Sequence, residues 1–420
     1  MSRPRPGLSV WQGAALYVGA VLGTGVIALP SLAAKTAGPA SLVAWAGMVL
    51  LSVPLAGTFA ALGARYPDAG GVSTYVRLAF GARPAGVVGW CFYFGVPIGA
   101  SPAALFAGQY VAAAAGGGRR TEALTAVALM TVVPAANAFG VRISARLQLG
   151  LTVLLLALLM TAVATSAPHA RAANLHPFAP HGLAAIFPAA ALLMWSFAGW
   201  EAITHLAAEF RSPARDIPRA TAIAVVVIGV IYLAVASLTV LVLGPNAGRT
   251  GAPLAELLRR GVGGQVQVIT AVAAVLLTAG TMNAYYAGVA KLGAALGRDG
   301  ALPRWLGAGS STGEIPRRSL LVVSTLALAM FGGVEIASVD LRPLVLMMTS
   351  CLVTVYLLGT AAAVRLMPPR SGYRRISAVA FVAVLGLLIA TGVYLAWAAV
   401  VTLAALLYLR WHPPPAQAQS

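Results

Sequence analysis

Twelve apolar segments follow one another between residues 9 and 410, each about long enough to cross a bilayer, and two of them are interrupted by glycine. They lie at roughly 9–34, 39–63, 84–114, 122–138, 147–166, 183–208, 219–244, 262–296, 319–334, 341–364, 376–392 and 393–410, the last two parted only by Thr391-Gly392-Val393. A spanning helix takes about 20 such residues. With 60% hydrophobic and 9% charged residues, the chain stands far from the roughly 25% charge of a soluble domain. The expectation is an all-α polytopic membrane protein with a single transmembrane domain over residues 1–420 and a proline-rich, disordered tail at 412–420.

The interruptions carry the functional content. The first segment is broken at Gly23-Thr24-Gly25 and the sixth at Ser196-Phe197-Ala198-Gly199-Trp200-Glu201. Backbone in hydrocarbon must be satisfied internally, so unwound chain at that depth persists only beside a buried, polar or wet cavity. From the first segment to the sixth is a step of five, and an odd step turns a second copy of the unit upside down. The pattern therefore predicts an inverted repeat, 9–166 followed by 183–366, with two appended helices in 375–411. Paired breaks of this kind mark the substrate site of a transporter.

A helix that restarts after Gly23 presents the free amides of Thr24, Gly25 and Val26, and with the helix dipole these suit a carboxylate. The carbonyls of Ala20, Val21 and Leu22 end the preceding half-helix and suit a cation such as an ammonium. The second break offers carbonyls near Trp195 and Ala198 to the same group. A zwitterion with an α-carboxylate and an α-ammonium fits both ends. The competing structural reading is that Gly19-x-x-x-Gly23 only lets neighbouring helices approach closely.

Glu201 and His205 are the acid and the histidine placed well inside a segment, four residues apart on one helical face. Burying such groups costs at least about 2.5–3.5 kcal/mol on insertion scales, which makes them functional candidates. Glu201 has three readings: a carrier of a coupling proton, a gating contact that satisfies unwound backbone, or half of a metal site. No HExxH motif and no third ligand accompany it, so a metal is not expected.

The side chains available to a substrate are apolar or hydroxylic: Phe92, Tyr93, Phe94 and Ser101 on the third segment, Thr278, Thr281, Asn283, Tyr285 and Tyr286 on the eighth, and Thr349, Ser350 and Thr354 on the tenth. Tyr93, Asn283 and Thr349 are the candidate pocket residues. Apart from Glu201, no fixed charge awaits a charged substrate side chain, which favours a neutral, apolar amino acid.

The net charge of +18 invites a nucleic-acid partner, but its distribution argues for the membrane surface. Lys35, Arg119, Arg120, Arg171, Arg249, Arg259, Arg260 and Arg342 fall on one side, and the other twenty of the 28 Lys and Arg on the other. The positive-inside rule then places both termini in the cytoplasm. Cys91 and Cys351 imply neither a disulfide framework nor a metal.

These residues resemble a known group. Gly23-Thr24-Gly25-Val26 is similar to the GSG/GTG break of the amino acid–polyamine–organocation superfamily. Arg65-Tyr66-Pro67-Asp68-Ala69-Gly70-Gly71 with Phe80-Gly81 resembles its YPxAGG…FG loop, and Trp195 to Glu201 its WSFxGxE segment. The stretch from Glu209 to Ala220 and the loop Arg298-Asp299-Gly300-Ala301-Leu302-Pro303 match further elements in order. Within the superfamily the chain looks closest to bacterial exporters of methionine and branched-chain amino acids, through GTGV and the run Ala202-Ile203-Thr204-His205-Leu206-Ala207-Ala208-Glu209-Phe210.

The resemblance implies a LeuT-like fold, carboxylate binding at Thr24 and Gly25, ammonium binding by the carbonyls of Val21 and Ala198, and Trp195 as a lid. The expected substrate residues are thus Val21, Gly23, Thr24, Gly25, Trp195, Phe197, Ala198 and Gly199, with Trp195 and Glu201 in gating or proton coupling. Two departures stand out. Ser73 replaces the family's loop tyrosine, and the fifth segment lacks the lysine that some proton-coupled relatives place there. The expectation is an inner-membrane secondary carrier for methionine, leucine, isoleucine or valine, exporting and needing no cofactor. An importer or exchanger of another amine, a non-transporting sensor and an intramembrane hydrolase are the alternatives. The hydrolase lacks a visible nucleophile–base pair.

Overall fold

The computed structural model describes residues 8–66, 71–140, 145–201, 207, 209–264, 266–308, 315–337 and 340–412. His205, residues 67–70 of the loop motif and the tail from residue 413 lie outside them. Among the described residues ten helical stretches are long and apolar enough to cross a membrane. One of these, Gly25–Arg65, is a 41-residue run that holds two helices turning at Gly38. The shorter apolar helices Val10–Val21 and Leu183–Leu193 supply the first and sixth rows.

Helix α1 (Val10–Val21) begins with a capping box, in which the Gln12 amide donates to Ser9 Oγ at 3.4 Å and the Ser9 amide donates to Gln12 Oε1 at 3.0 Å. It stops where the Gly23 amide folds back onto the Val21 carbonyl at 2.8 Å. Helix α2 (Gly25–Ala37) restarts from Thr24 with no side-chain cap. Helices α3 (Ser41–Arg65), α4 (Val72–Phe80), α5 (Ala82–Ala115), α6 (Arg119–Ala138) and α7 (Ala145–Ser166) complete the first half. Helix α5 is the central post of the bundle, packed against α4 and α6 and against the helices at 266–298, 317–336, 341–366 and 395–411.

The second half opens with α8 (Ile186–Leu193), which passes into successive tight turns. Trp195, Ser196, Phe197 and Ala198 each donate to the carbonyl three residues back, at 2.8–3.3 Å. Then follow α9 (Pro213–Leu243), the short α10 (Pro253–Val262), α11 (Val266–Arg298), α12 (Arg317–Ile336), α13 (Leu341–Leu366), α14 (Gly372–Ala390) and α15 (Leu395–Trp411). Leu8 bridges to Phe210, tying the start of the chain to the segment before α9. The outer pair α14 and α15 is only 22% buried, and Val379, Val400 and Leu403 expose apolar surface suited to lipid.

The two breaks meet. A Cβ added at Gly25 would lie 3.1 Å from Ser196 Cα, and one added at Gly199 would lie 3.1 Å from the Ala20 carbonyl oxygen. Gly199 also holds φ +121°, where a side chain would be strained. Discontinuous first and sixth rows in contact at their interruptions give the LeuT-like architecture.

Candidate functional site

A cavity of about 890 Å³ is lined by both breaks. That volume lies within the usual range for small-molecule sites. It runs toward the end of the bundle where the chain begins, past Gln12 on α1, Ser73 on α4 and Leu292 on α11. Its deeper wall is Val96, Gly99, Ala100 and Ala103 of α5 with Met348 and Leu352 of α13. Glu201 is the one charged side chain among the described lining residues.

At the first break the amides of Thr24, Gly25 and Val26 find no acceptor among the described residues, and Thr24 provides no side-chain cap. These donors face the cavity at the positive end of α2. Ser196 Oγ, buried and without a partner among the described residues, lies beside Gly25. The carbonyls are less uniform than the sequence suggests. Val21 already accepts from the Gly23 amide at 2.8 Å and from the Tyr232 hydroxyl at 2.9 Å, which uses both lone pairs. The Trp195 carbonyl accepts from Ala198 at 3.3 Å. The Ala20 and Ala198 carbonyls have no donor among the described residues and remain open to an ammonium.

Three tyrosines that carry no motif organise these breaks. Tyr232 of α9 reaches the Val21 and Ser196 carbonyls at 2.9 and 2.7 Å. Tyr356 of α13 donates to Glu201 Oε2, and the Gly199 amide donates to the same carboxylate oxygen at 3.0 Å. Tyr17 of α1 accepts from Thr221 at 3.0 Å and packs its ring 5.7 Å from Trp200. Glu201 is therefore both a lining residue and a partner of unwound backbone.

Trp195 sits at the deep end of the cavity, edge-on to Phe106 with ring centroids 6.2 Å apart. Its ring and Met348 close over Gly99, where an added Cβ would meet Met348 Cγ at 2.9 Å and Trp195 Cη2 at 3.4 Å. Val21, Gly23, Thr24, Gly25, Ala198 and Gly199, with Trp195, all line the cavity. Phe197 does not: it packs between Trp45 and Tyr232, at 5.9 and 4.9 Å. Tyr93, Asn283 and Thr349 are likewise outside the lining. Tyr93 turns to Ser319 at 3.3 Å, while their neighbours Phe92, Met282 and Met348 face the cavity.

Beyond Trp195 the far end is tied shut around α2. Tyr110 donates to the Ile27 carbonyl at 2.6 Å and accepts from the Leu254 amide of α10 at 3.2 Å. Ser31 donates to the Thr250 carbonyl, and Lys35 pairs with Asp340 at 2.6 Å. Burial pushes the Asp340 carboxyl up, but Lys35 and the Leu341 amide outweigh it and hold the group below the usual carboxylate range. On α10, the Arg259 guanidinium holds Glu256 below that range, with Arg260 adding to it. The molecule is thus open toward one membrane face and closed toward the other.

Known proteins are similar to this chain in sequence. The family model for amino acid permeases matches residues 8–419. The chain is 34% identical over 86% of its length to the uncharacterized amino acid permease YecA of Bacillus subtilis, covering 85% of that protein. It is 37% identical to the L-methionine/branched-chain amino acid exporter YjeH of Escherichia coli, over 55% of this chain and 56% of that one. The branched-chain amino acid permease BcaP of Bacillus subtilis is 25% identical over 69% of the chain and 66% of its own length. These relatives are named as permeases and exporters, not as enzymes. The chain is a multi-pass membrane protein that belongs to the amino acid permease family of the amino acid–polyamine–organocation superfamily.

Proposed function

We propose that the protein is a secondary active carrier of neutral apolar amino acids, methionine and the branched-chain residues, and that it exports them across the bacterial inner membrane by alternating access. The observation that carries this reading is a cavity bounded by two helix breaks, mostly apolar and hydroxylic in its lining, with Glu201 as the one charged side chain among the described lining residues. The substrate carboxylate meets the amides of Thr24, Gly25 and Val26, with Ser196 Oγ beside them. Its ammonium meets the open carbonyls of Ala20 and Ala198. An apolar side chain extends toward Gly99, Ala100 and Met348, where a charged one would find no partner.

Trp195 covers the bound molecule on the closed side, and opening that side requires α2 to leave α10 and α13. Glu201 relays or senses protons through its contact with Tyr356. Both termini are assigned to the cytoplasm from the distribution of Lys and Arg. Similarity to a methionine and branched-chain exporter supports substrate and direction together.

Counterflow of labelled methionine and leucine in proteoliposomes at several pH values, with a panel of competitors, tests the reading. Methionine and leucine flux inhibited by valine and isoleucine, but not by arginine or glutamate, is expected. Arginine or glutamate flux of equal size would overturn the substrate class, and binding without flux would make the protein a sensor. Glu201→Gln is expected to flatten the pH profile; an unchanged profile would remove the proton role.

A further inference from the structure

The described ion pairs, Lys35–Asp340, Arg119–Glu335 and Glu256 with Arg259 and Arg260, all lie at the closed end of the bundle. At the open end, one corner gathers arginines with no ion-pair partner among the described residues. Tyr66, at the end of α3, donates to the Leu366 carbonyl at the end of α13 at 3.4 Å. Thr58 of α3 meets Ser377 of α14 at 3.3 Å, two turns before Arg65 and one turn after Arg374. The Arg365 guanidinium carbon stands 5.5 Å from the centre of the Phe80 ring.

These contacts bring Arg65, Arg365, Arg370, Arg374 and Arg375 to the meeting point of α3, α13 and α14. All five are exposed, and none forms an ion pair with a described acid. Arg370 also holds φ +62°, the one positive value among the described non-glycine residues.

What lies beneath the arginines distinguishes a lipid from a soluble anion. Arg375, Val379, Val382 and Ile389 share one face of α14, at spacings of four, three and seven residues. The three apolar side chains are 60%, 66% and 68% exposed. Tyr373 stands at the level of the arginines and is half exposed, an interfacial position for an aromatic ring. A crown of guanidinium groups above an exposed apolar stripe has the polarity of a phospholipid, head to tail.

We propose that this corner is a binding site for an anionic phospholipid. Its phosphate would be held by the guanidinium forks of Arg365, Arg374 and Arg375, and an acyl chain would lie along Val379, Val382 and Ile389. Arginine matches phosphate geometry in two hydrogen bonds, which favours it over a simple point charge. The site is separate from the cavity and does not depend on which amino acid the protein carries.

Native mass spectrometry of the full chain released from micelles, with phosphatidylglycerol or phosphatidylcholine added, tests it. Phosphatidylglycerol is expected to bind more tightly than phosphatidylcholine, and inorganic phosphate at equal concentration is expected not to displace it. The triple variant Arg365→Gln, Arg374→Gln, Arg375→Gln is expected to lose about 100-fold in affinity, taking about fivefold per arginine near an anionic surface.

The matched triple Arg304→Gln, Arg317→Gln, Arg318→Gln, at the same end of the bundle, is expected to lose less than about fivefold. Equal loss in both triples would make the effect general surface attraction and overturn the site. Equal binding of the two lipids, or displacement by inorganic phosphate, would overturn it as well. If the first triple does not purify folded, Arg375→Gln alone is expected to lose about fivefold, and an unchanged affinity for it would also refute the proposal.

Discussion

The hydroxyl of Tyr232 donates to the carbonyl of Ser196 at 2.7 Å, and the same oxygen lies 2.9 Å from the Val21 carbonyl. One side chain of α9 thus clasps the two broken rows at their crossing. The hydroxyl has one proton, so the two carbonyls share it. Tyr232→Phe would keep the ring between Trp45 and Phe197, at 5.3 and 4.9 Å, and remove only the donor. The expected cost is about 1 kcal/mol, within the range of hydrogen bonds between membrane helices. Thermal unfolding in micelles and methionine counterflow should both fall. A variant with unaltered melting and flux would show that the clasp contributes nothing.

Gly23 and Gly25 are two residues apart and should respond oppositely to alanine. A Cβ at Gly23 meets nothing within 4 Å, whereas one at Gly25 would run into Ser196 Oγ and lie 3.1 Å from Ser196 Cα. Backbone cannot give way as a side chain can. Gly25→Ala is therefore expected to reduce equilibrium binding of labelled methionine at least tenfold, about 1.4 kcal/mol. Gly23→Ala should stay within a few-fold of the parent. Adding Ser196→Gly to Gly25→Ala removes the hydroxyl but leaves the crowding against the backbone of residue 196, so recovery should be partial. Full binding by Gly25→Ala alone would contradict this close approach.

The breaks were legible in sequence because glycine-containing interruptions fell in two apolar helices at matching places, a pairing that close helix packing by small residues does not require. Their five-helix separation supplied the pairing. The walls of the cavity were not legible, and α5 shows why. Tyr93 and Phe92 differ by one residue, a 100° turn about the helix, and α5 packs against neighbours on nearly every side. No polar face marks which of the two looks inward, and the same holds for Met282 beside Asn283 and Met348 beside Thr349. The clasping tyrosines were hidden for a different reason. Tyr232 and Tyr356 reach partners 211 and 155 residues away, and a tyrosine in an apolar run carries no sign of its direction.

The Lys35–Asp340 pair predicts a pH response at the closed end. Asp340 is held below its ordinary carboxylate range, with Lys35 and Arg119 as the facing charges. A depressed carboxyl contributes stability above its unfolded pKa and loses it as pH falls through the lower folded value. The tie should therefore persist through neutral pH and weaken only below about pH 4, near the reference value for aspartate. Both side chains are about half exposed, at 55% and 53%, so the pair contributes at most about 1 kcal/mol. Asp340→Asn at pH 7 should raise the share of molecules open on that side by no more than about fivefold. Thiol labelling of a cysteine placed at Thr36 measures that share. A larger change, or loss of the tie between pH 6 and 7, would show that another group governs the opening.

Tyr356 and Glu201 should behave as one unit rather than two. The phenol donates to Glu201 Oε2, and that oxygen also accepts from the Gly199 amide at 3.0 Å. Glu201→Gln replaces the acceptor charge, while Tyr356→Phe removes the donor and leaves Phe59 packing in place at 5.1 Å. Each single variant is expected to slow counterflow about tenfold, because either change frees the unwound segment at Gly199. If the contact is their shared role, the double variant should be no slower than the slower single, a coupling of about 1.4 kcal/mol. Multiplying losses, near 100-fold in the double variant, would mean that the two residues act independently. Glu201 would then serve transport through something other than its hold on the break.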